Sequence, residues 1–317
     1  MIGCGSIGSR HARNLRGLGC ASIRLFDVDG DRAASVAAEI GGVAAAGIEE
    51  ALDAEPGVAL VCSPPALHAE HARRALEAGW DLFVEKPVAV TAAEAAALAA
   101  LAEQCGAVSL VGFNFRFEPG LQRVHRLLRD GDLGRPLAIR AIVGQYLPDW
   151  HPWEDYRRGY SARRELGGGV LLDNSHEIDM LIWLFGDPES VWCQGGTVGE
   201  LGIETEDLAQ LSLVLPGPAL AQLQLDYLQR SPRRELEIAC TNGTIRWRYD
   251  ERRLELYRPG PGWTVEPLRE DHNLTYVDGL THLLDSVRTR SPTVCDLQEG
   301  ARSLRVVEAA RRAASIR

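Results

Sequence analysis

At 317 residues, with 45% hydrophobic and 25% charged side chains, the chain has an ordinary globular composition and the length for two domains. Its 34 basic and 44 acidic residues leave a formal charge of −10, which argues against nucleic acid or an anionic membrane as the main partner. There is no run of about 18 apolar residues to span a membrane and no secretory signal at the start. The seven cysteines include no C-x-x-C pair, so a reducing cytoplasm is expected, with neither a disulfide framework nor a bound metal.

The first motif is Gly3-Cys4-Gly5-Ser6-Ile7-Gly8, a G-x-G-x-x-G run leading into a helix. Its glycines permit a tight turn and a close approach to a pyrophosphate, which then sits on the helix N-terminus. Ile23–Phe26 is a short apolar strand ending at Asp27, about 20 residues past the loop, where an acidic side chain meets the ribose 2′-OH. Asp27 would also repel a 2′-phosphate, so NAD is favoured over NADP. A dinucleotide fold needs a central strand of about five residues before its first glycine. Only Met1 and Ile2 stand there, so a stub in place of that strand and a natural start further upstream are expected.

Val58–Cys62 is the next strand, closed by Ser63, Pro64 and Pro65, and a helix follows with Ala72, Ala75 and Leu76 on one face. Leu82–Val84 ends at Glu85-Lys86-Pro87. Ser63, Glu85 and Lys86 stand at strand carboxyl ends, the edge where open α/β sheets bind ligands, and join Gly3, Gly5, Ser6, Ile7, Gly8 and Asp27 as the cofactor set. Lys86 is the only lysine among the 34 basic residues. Where arginine has replaced lysine everywhere else, the survivor marks a place arginine does not serve, unless it survives by chance. Lysine is compact, and burial can lower its pKa far enough for proton transfer. Thr91 and Glu94 form a capping box for a helix running to about Cys105, and Val108–Val111 is a further strand.

The alternation of strands and helices then gives way to a long strand, Leu137–Tyr146, and a loop rich in aromatics and arginine. In that loop Trp150, Trp153 and Tyr156 either offer flat faces to a ligand or pack the loop itself. Arg157, Arg158 and Arg163 suit a carboxylate or phosphate. Gly167-Gly168-Gly169 opens an apolar helix ending near Gly186, with Asp173, His176 and Asp179 at a spacing of three, on one side of it. A histidine flanked by carboxylates serves as a general base near neutral pH; the alternative is a core histidine beside a capping aspartate. A metalloprotease is excluded, because Met180 stands where H-E-x-x-H needs its second histidine. Residues 206–215 and 219–228 alternate as strands, Asn242-Gly243 marks a hairpin, and two helices near 274–289 and 297–314 finish the chain.

GCGSIG followed by His11, EKP at 85–87, GFNFRFEP at 112–119, GGGVLLDNSHEID at 167–179 and a closing TYVDGLTHLLDSV together resemble the Gfo/Idh/MocA family of oxidoreductases. The resemblance implies an α/β protein with an N-terminal Rossmann dinucleotide-binding domain, 1–114. After it comes an α/β domain, 115–317, with a large, open, mainly antiparallel sheet. It implies Lys86, Asp173 and His176 as the catalytic set, and a homodimer or homotetramer built on the open sheet. One departure is the spacing of Asp173 and His176, three here against D-x-x-x-H in relatives. Asn114, Arg116, Trp150, Tyr156 and Arg157 are the expected substrate-lining residues. The expected reaction is hydride transfer between a nicotinamide cofactor and a secondary alcohol of a sugar, cyclitol or nucleotide sugar. An NAD-dependent glycosidase and a non-catalytic NAD-binding regulator are the alternatives, the latter disfavoured by the presence of Lys86 and His176.

Overall fold

The computed structural model describes all residues but His151, Pro218, Arg269, Glu270, Ala314 and Arg317, and Ser315 and Ile316 by backbone alone. Its elements in chain order are α1 (Ser6–Gly17), β1 (Arg24–Leu25), α2 (Gly30–Ile40), β2 (Val43–Ala44), α3 (Ile48–Leu52), β3 (Val58–Val61), α4 (Pro65–Glu77), β4 (Asp81–Val84), α5 (Ala92–Cys105), β5 (Ser109–Val111), α6 (Pro119–Asp130), β6 (Pro136–Gly144), α7 (Val170–Asp173), α8 (Ser175–Phe185), β7 (Ser190–Gly196), β8 (Leu208–Val214), β9 (Leu220–Asp226), β10 (Arg233–Cys240), β11 (Gly243–Arg248), β12 (Arg253–Arg258), β13 (Gly262–Pro267), α9 (Asn273–Thr289), α10 (Leu297–Ala313) and β14 (Ser315–Ile316). Among the described residues no helix is long and apolar enough to cross a membrane.

The chain divides into two compact units, Met1–Asn114 with Asn273–Leu304, and Phe115–His272 with Arg305–Arg317. The first differs from the sequence-based 1–114 by taking back α9 and the start of α10. The reason is local packing: Val111 N–H donates to the Cys295 carbonyl at 2.8 Å. Gly300 lies so close that a Cβ there would stand 2.5 Å from Val111. An amphipathic helix read from sequence shows which face it buries, not which sheet it covers.

In the first unit β1 pairs with β2, and β3, β4 and β5 pair in that order, all parallel. The two groups are joined by Ile2, which bridges Phe26 on one side and Val61 on the other. Met1–Gly3 thus runs between the two groups. Its backbone is paired on both sides: Ile2 N–H to Leu60, Cys62 N–H to Ile2, Gly3 N–H to Phe26, each at 2.8 Å. The Met1 ammonium donates to the Arg24 carbonyl, and burial pushes its pKa down. Buried donors and acceptors without partners cost about 1–3 kcal/mol each; the bonds of Ile2 and Gly3 avoid that cost. The helices on this sheet follow from sequence. Thr91 and Glu94 form the full capping box at the start of α5, and Gly106 ends it in the left-handed conformation.

The second unit is a nine-stranded sheet in the order β13-β12-β11-β10-β6-β9-β8-β7-β14. Pairings are antiparallel except β6 with β9 and β7 with β14. Strand periodicity separates its faces. One register row runs Cys193, Leu211, Leu223, Ala141, Leu236, Trp247, Leu254, all buried. The next row runs Trp192, Ser212, Gln222, Arg140, Glu237, Arg246, Glu255. The apolar row is the unit's core and the polar row its open face. β13 escapes the sequence pattern because it is an edge strand with no buried face, Trp263 and Val265 being exposed.

Candidate active site

The glycine loop explains itself residue by residue. Gly3 has φ +96°, and a Cβ there would stand 2.6 Å from the Cys62 carbonyl carbon. A Cβ on Gly8 would stand 2.1 Å from the Gly3 oxygen, whereas one on Gly5 would meet nothing within 4 Å. Two glycines therefore exist for packing, and Gly5 leaves a bare face for an incoming group. Gly5 is also the N-cap of α1; no side chain caps it and the first turn holds no acidic residue. First-turn N–H groups left this way attract anions, so Ser6 and Ile7 stand where a pyrophosphate fits.

Asp27 is buried and ties this loop to the end of β1. Its carboxylate accepts from Cys4 N–H at 2.7 Å and Asp29 N–H at 2.9 Å, with Arg32 at 3.4 Å. An ionised carboxylate has about four acceptor sites, so capacity remains for a ribose hydroxyl. Burial and the Asp27 charge push the Cys4 thiol up to about 11, which keeps it protonated and unreactive.

Lys86 is half-buried at the carboxyl end of β4, on the sheet edge that carries the glycine loop. Glu85, expected to meet cofactor, turns its carboxylate inward instead. One oxygen lies 2.7 Å from His11 Nε2, and the other accepts from Lys86 N–H at 3.1 Å. Burial alone would raise its pKa, but His11 and the Lys86 charge bring it below the usual carboxylate range. His11 is itself held edge-on by Phe83 at 4.8 Å and Tyr276 at 5.8 Å. The pair anchors the backbone that carries Lys86. Asn114 is buried too, its amide donating to Thr275 Oγ1 at 2.9 Å.

In the second unit the single predicted helix is two. α7 ends at Asp173, Asn174 breaks the chain at φ −94°, ψ 31°, and α8 begins at Ser175. Asp173, His176 and Asp179 therefore do not share one helical face. Asp173 is buried and accepts from three hydroxyls: Tyr160 at 2.6 Å, Ser161 at 2.7 Å and Tyr227 at 3.0 Å. The triple glycine makes this possible. A Cβ on Gly168 would stand 2.2 Å from the Tyr160 carbonyl oxygen, and Gly169 N–H donates to the Ser161 carbonyl at 3.1 Å. Only bare backbone lets the 160–161 segment approach and aim both hydroxyls at Asp173.

His176 is half-buried in the first turn of α8, its ring 5.0 Å from that of Phe115. Phe115 is backed by Tyr249 at 5.3 Å, Trp247 at 5.9 Å and the Arg234 guanidinium at 4.6 Å. Asp179 is committed to Arg116, two charge-assisted bonds of 2.7 and 3.0 Å with both side chains buried. Arg116, like Asn114, is thus turned into the protein rather than toward a ligand. In the aromatic loop Trp150 packs edge-on against Tyr227, Tyr156 donates to the Leu201 carbonyl, and Arg157 stacks on the Tyr156 ring. Trp153 is 77% exposed. Tyr160, Ser161 and Tyr227 carry no motif; their only sequence signal is proximity to the triple glycine or, for Tyr227, its place in the apolar row of the 219–228 run.

Comparison with known proteins agrees with this architecture. Residues 1–113 match the family model for the oxidoreductase family's NAD-binding Rossmann fold, and residues 121–246 match the GFO/IDH/MocA C-terminal domain. An uncharacterized oxidoreductase of Synechocystis is 39% identical over 147 residues, 45% of this chain and 38% of that protein. Inositol 2-dehydrogenase 3 of Saccharopolyspora erythraea is 34% identical over 196 residues, 59% of this chain and 53% of that protein. The match thus spans less than two thirds of the length of these curated relatives. The solved structure of levoglucosan dehydrogenase in complex with NADH and L-sorbose superposes with TM-score 0.89 at 19% identity, covering 98% of this chain and 95% of that one. The chain belongs to the Gfo/Idh/MocA family, with the family's NAD-binding Rossmann fold at 1–113 and its C-terminal domain at 121–246.

Proposed function

We propose that the protein is an NAD-dependent dehydrogenase acting on a secondary alcohol of a sugar or cyclitol. The observation that carries this is the sole lysine at the carboxyl end of β4, on the same sheet edge as a glycine loop shaped for a pyrophosphate. Relatives named as inositol and levoglucosan dehydrogenases support the substrate class. The main chain around Gly5, Ser6 and Ile7 would hold the pyrophosphate, Asp27 a ribose hydroxyl, and Ser63 would stand beside the glycine loop after β3. The chemistry such a cofactor supplies is acceptance of a hydride from carbon. His176 is the candidate to take the hydroxyl proton, and Lys86 the candidate to stabilise the developing alkoxide. Asp173, which accepts from Tyr160, Ser161 and Tyr227, fixes the 160–161 segment. Trp150 and Tyr156 offer flat apolar walls to a sugar face, and Arg157 a charge to an anionic group.

The cofactor assignment is tested at Asp27. With Asp27→Ala, NAD binding weakens and the preference over NADP narrows, because the acidic group is lost while Arg32 stays to meet a 2′-phosphate. Steady-state KM values for both cofactors measure this; an unchanged ratio would remove Asp27 from the ribose site. The open face of the nine-stranded sheet, with Trp192 56% and Leu220 58% exposed, is proposed to pack against a second copy of the chain. Sedimentation as a monomer at micromolar concentration would contradict this.

A further inference from the structure

His68 lies on α4, 1% exposed, and no motif draws attention to it. Both ring nitrogens face main-chain carbonyl oxygens. Nδ1 is 2.7 Å from the Pro87 oxygen and Nε2 is 2.7 Å from the Ser63 oxygen. Pro87 belongs to the loop that carries Lys86, and Ser63 to the loop after the neighbouring strand β3. His71, one turn further along α4, places Nδ1 2.9 Å from Ser63 Oγ, so the β3 loop is gripped by side chain as well as backbone.

We propose that His68 is a positioning residue that clamps the Lys86–Pro87 loop to the Ser63 loop through its two ring nitrogens, and so holds Lys86 in place for the reaction. This rests on the reading of Lys86 as the group that acts on substrate. A carbonyl oxygen only accepts, so each contact needs an N–H on the ring. A neutral imidazole has one N–H and one lone pair and can close one of the two contacts; the imidazolium closes both. The charged and titratable groups facing the ring are Glu85 and Lys86 at the end of β4 and His71 on its own helix. Burial pushes the His68 pKa below the ordinary imidazole value, and Lys86 acts in the same direction; the two carbonyls and Glu85 oppose it. The two 2.7 Å contacts together are those of a ring that donates from both nitrogens, so the clamp is complete when His68 is protonated and loosens to one contact as it deprotonates. Glu85 and His11 are a second buried anchor for the backbone at Lys86.

The single lysine makes the test direct. Protein grown with lysine carbon-13 labelled at Cε gives one side-chain signal, from Lys86. In His68→Phe this signal is expected to shift and broaden. In His68→Gln, whose amide N–H can still donate to one carbonyl, the change is expected to be smaller. kcat is expected to fall about tenfold or more in the Phe variant, with partial rescue in Gln. A Lys86 signal identical to wild type in both variants would overturn the clamp, as would wild-type kcat in His68→Phe. Should His68→Phe fail to fold, His68→Gln and the pH response of the wild-type Lys86 signal decide the matter. A signal that does not change as His68 is protonated contradicts the clamp. If wild type oxidises no sugar or cyclitol, the functional reading fails, and the Lys86 signal still decides whether His68 holds the loop.

Discussion

Lys86→Arg is expected to lower kcat about a hundredfold or more while NAD affinity changes little. Charge is kept in this variant, so the loss isolates shape and proton behaviour. A compact ammonium places its charge at one point, and a guanidinium spreads it over a planar fork that stays protonated. Removing one donor from a developing oxyanion typically costs about 10²–10³ in kcat, and a misplaced one costs much the same. The loop leaves little freedom to compensate. Glu85 receives the Lys86 N–H and is itself fixed by buried His11, while Pro87 is held by His68. Steady-state kinetics of the two proteins measures the effect. Near-normal turnover in the arginine variant would mean that the one lysine survived by chance.

His176→Asn is expected to lower kcat by about 10²–10⁴, the contribution general acid–base groups usually make. The wild-type rate should rise with pH through a histidine ionisation, and this limb should vanish in the variant, because the deprotonated ring is the form that accepts the hydroxyl proton. The fold should tolerate the change. α8 is held next to His176 by Glu177 to Arg234 at 2.8 Å and further along by Asp179 to Arg116 at 2.7 Å. A pH–rate profile of both proteins, with a thermal melt as control, reads this. A variant that keeps both the rate and the acid limb would take His176 out of the chemistry.

The parts of the site that were legible in sequence are those where backbone geometry or composition leaves no substitute. Gly3 and Gly8 must lack a Cβ, Asp27 must end its strand, and a lone lysine stands out against uniform arginine. What was not legible depends on contacts distant in the chain. Asp173, Asn174 and His176 read as one helix because nothing local stops it; Asn174 is neither glycine nor proline. The break follows from donors at Tyr160, Ser161 and Tyr227, the last 54 residues away. Asp179 and Arg116 likewise find each other across 63 residues. His68 did leave a trace. It lies four residues before Ala72 and eight before Leu76, on the apolar stripe of its helix. A titratable side chain on a buried stripe needs partners for its polar atoms, and that was the sign to follow.

The central claim is best tested by one assay: a panel of sugars, cyclitols and nucleotide sugars offered with NAD to wild-type protein and to Lys86→Arg, followed by NADH absorbance. The account predicts NADH formation from at least one member, saturable in substrate and strongly reduced in the variant. Bound NAD with no NADH from any member would point to a regulator without catalysis. Release of a labelled aglycone with no net NADH would point to a glycosidase, and either result would contradict the dehydrogenase.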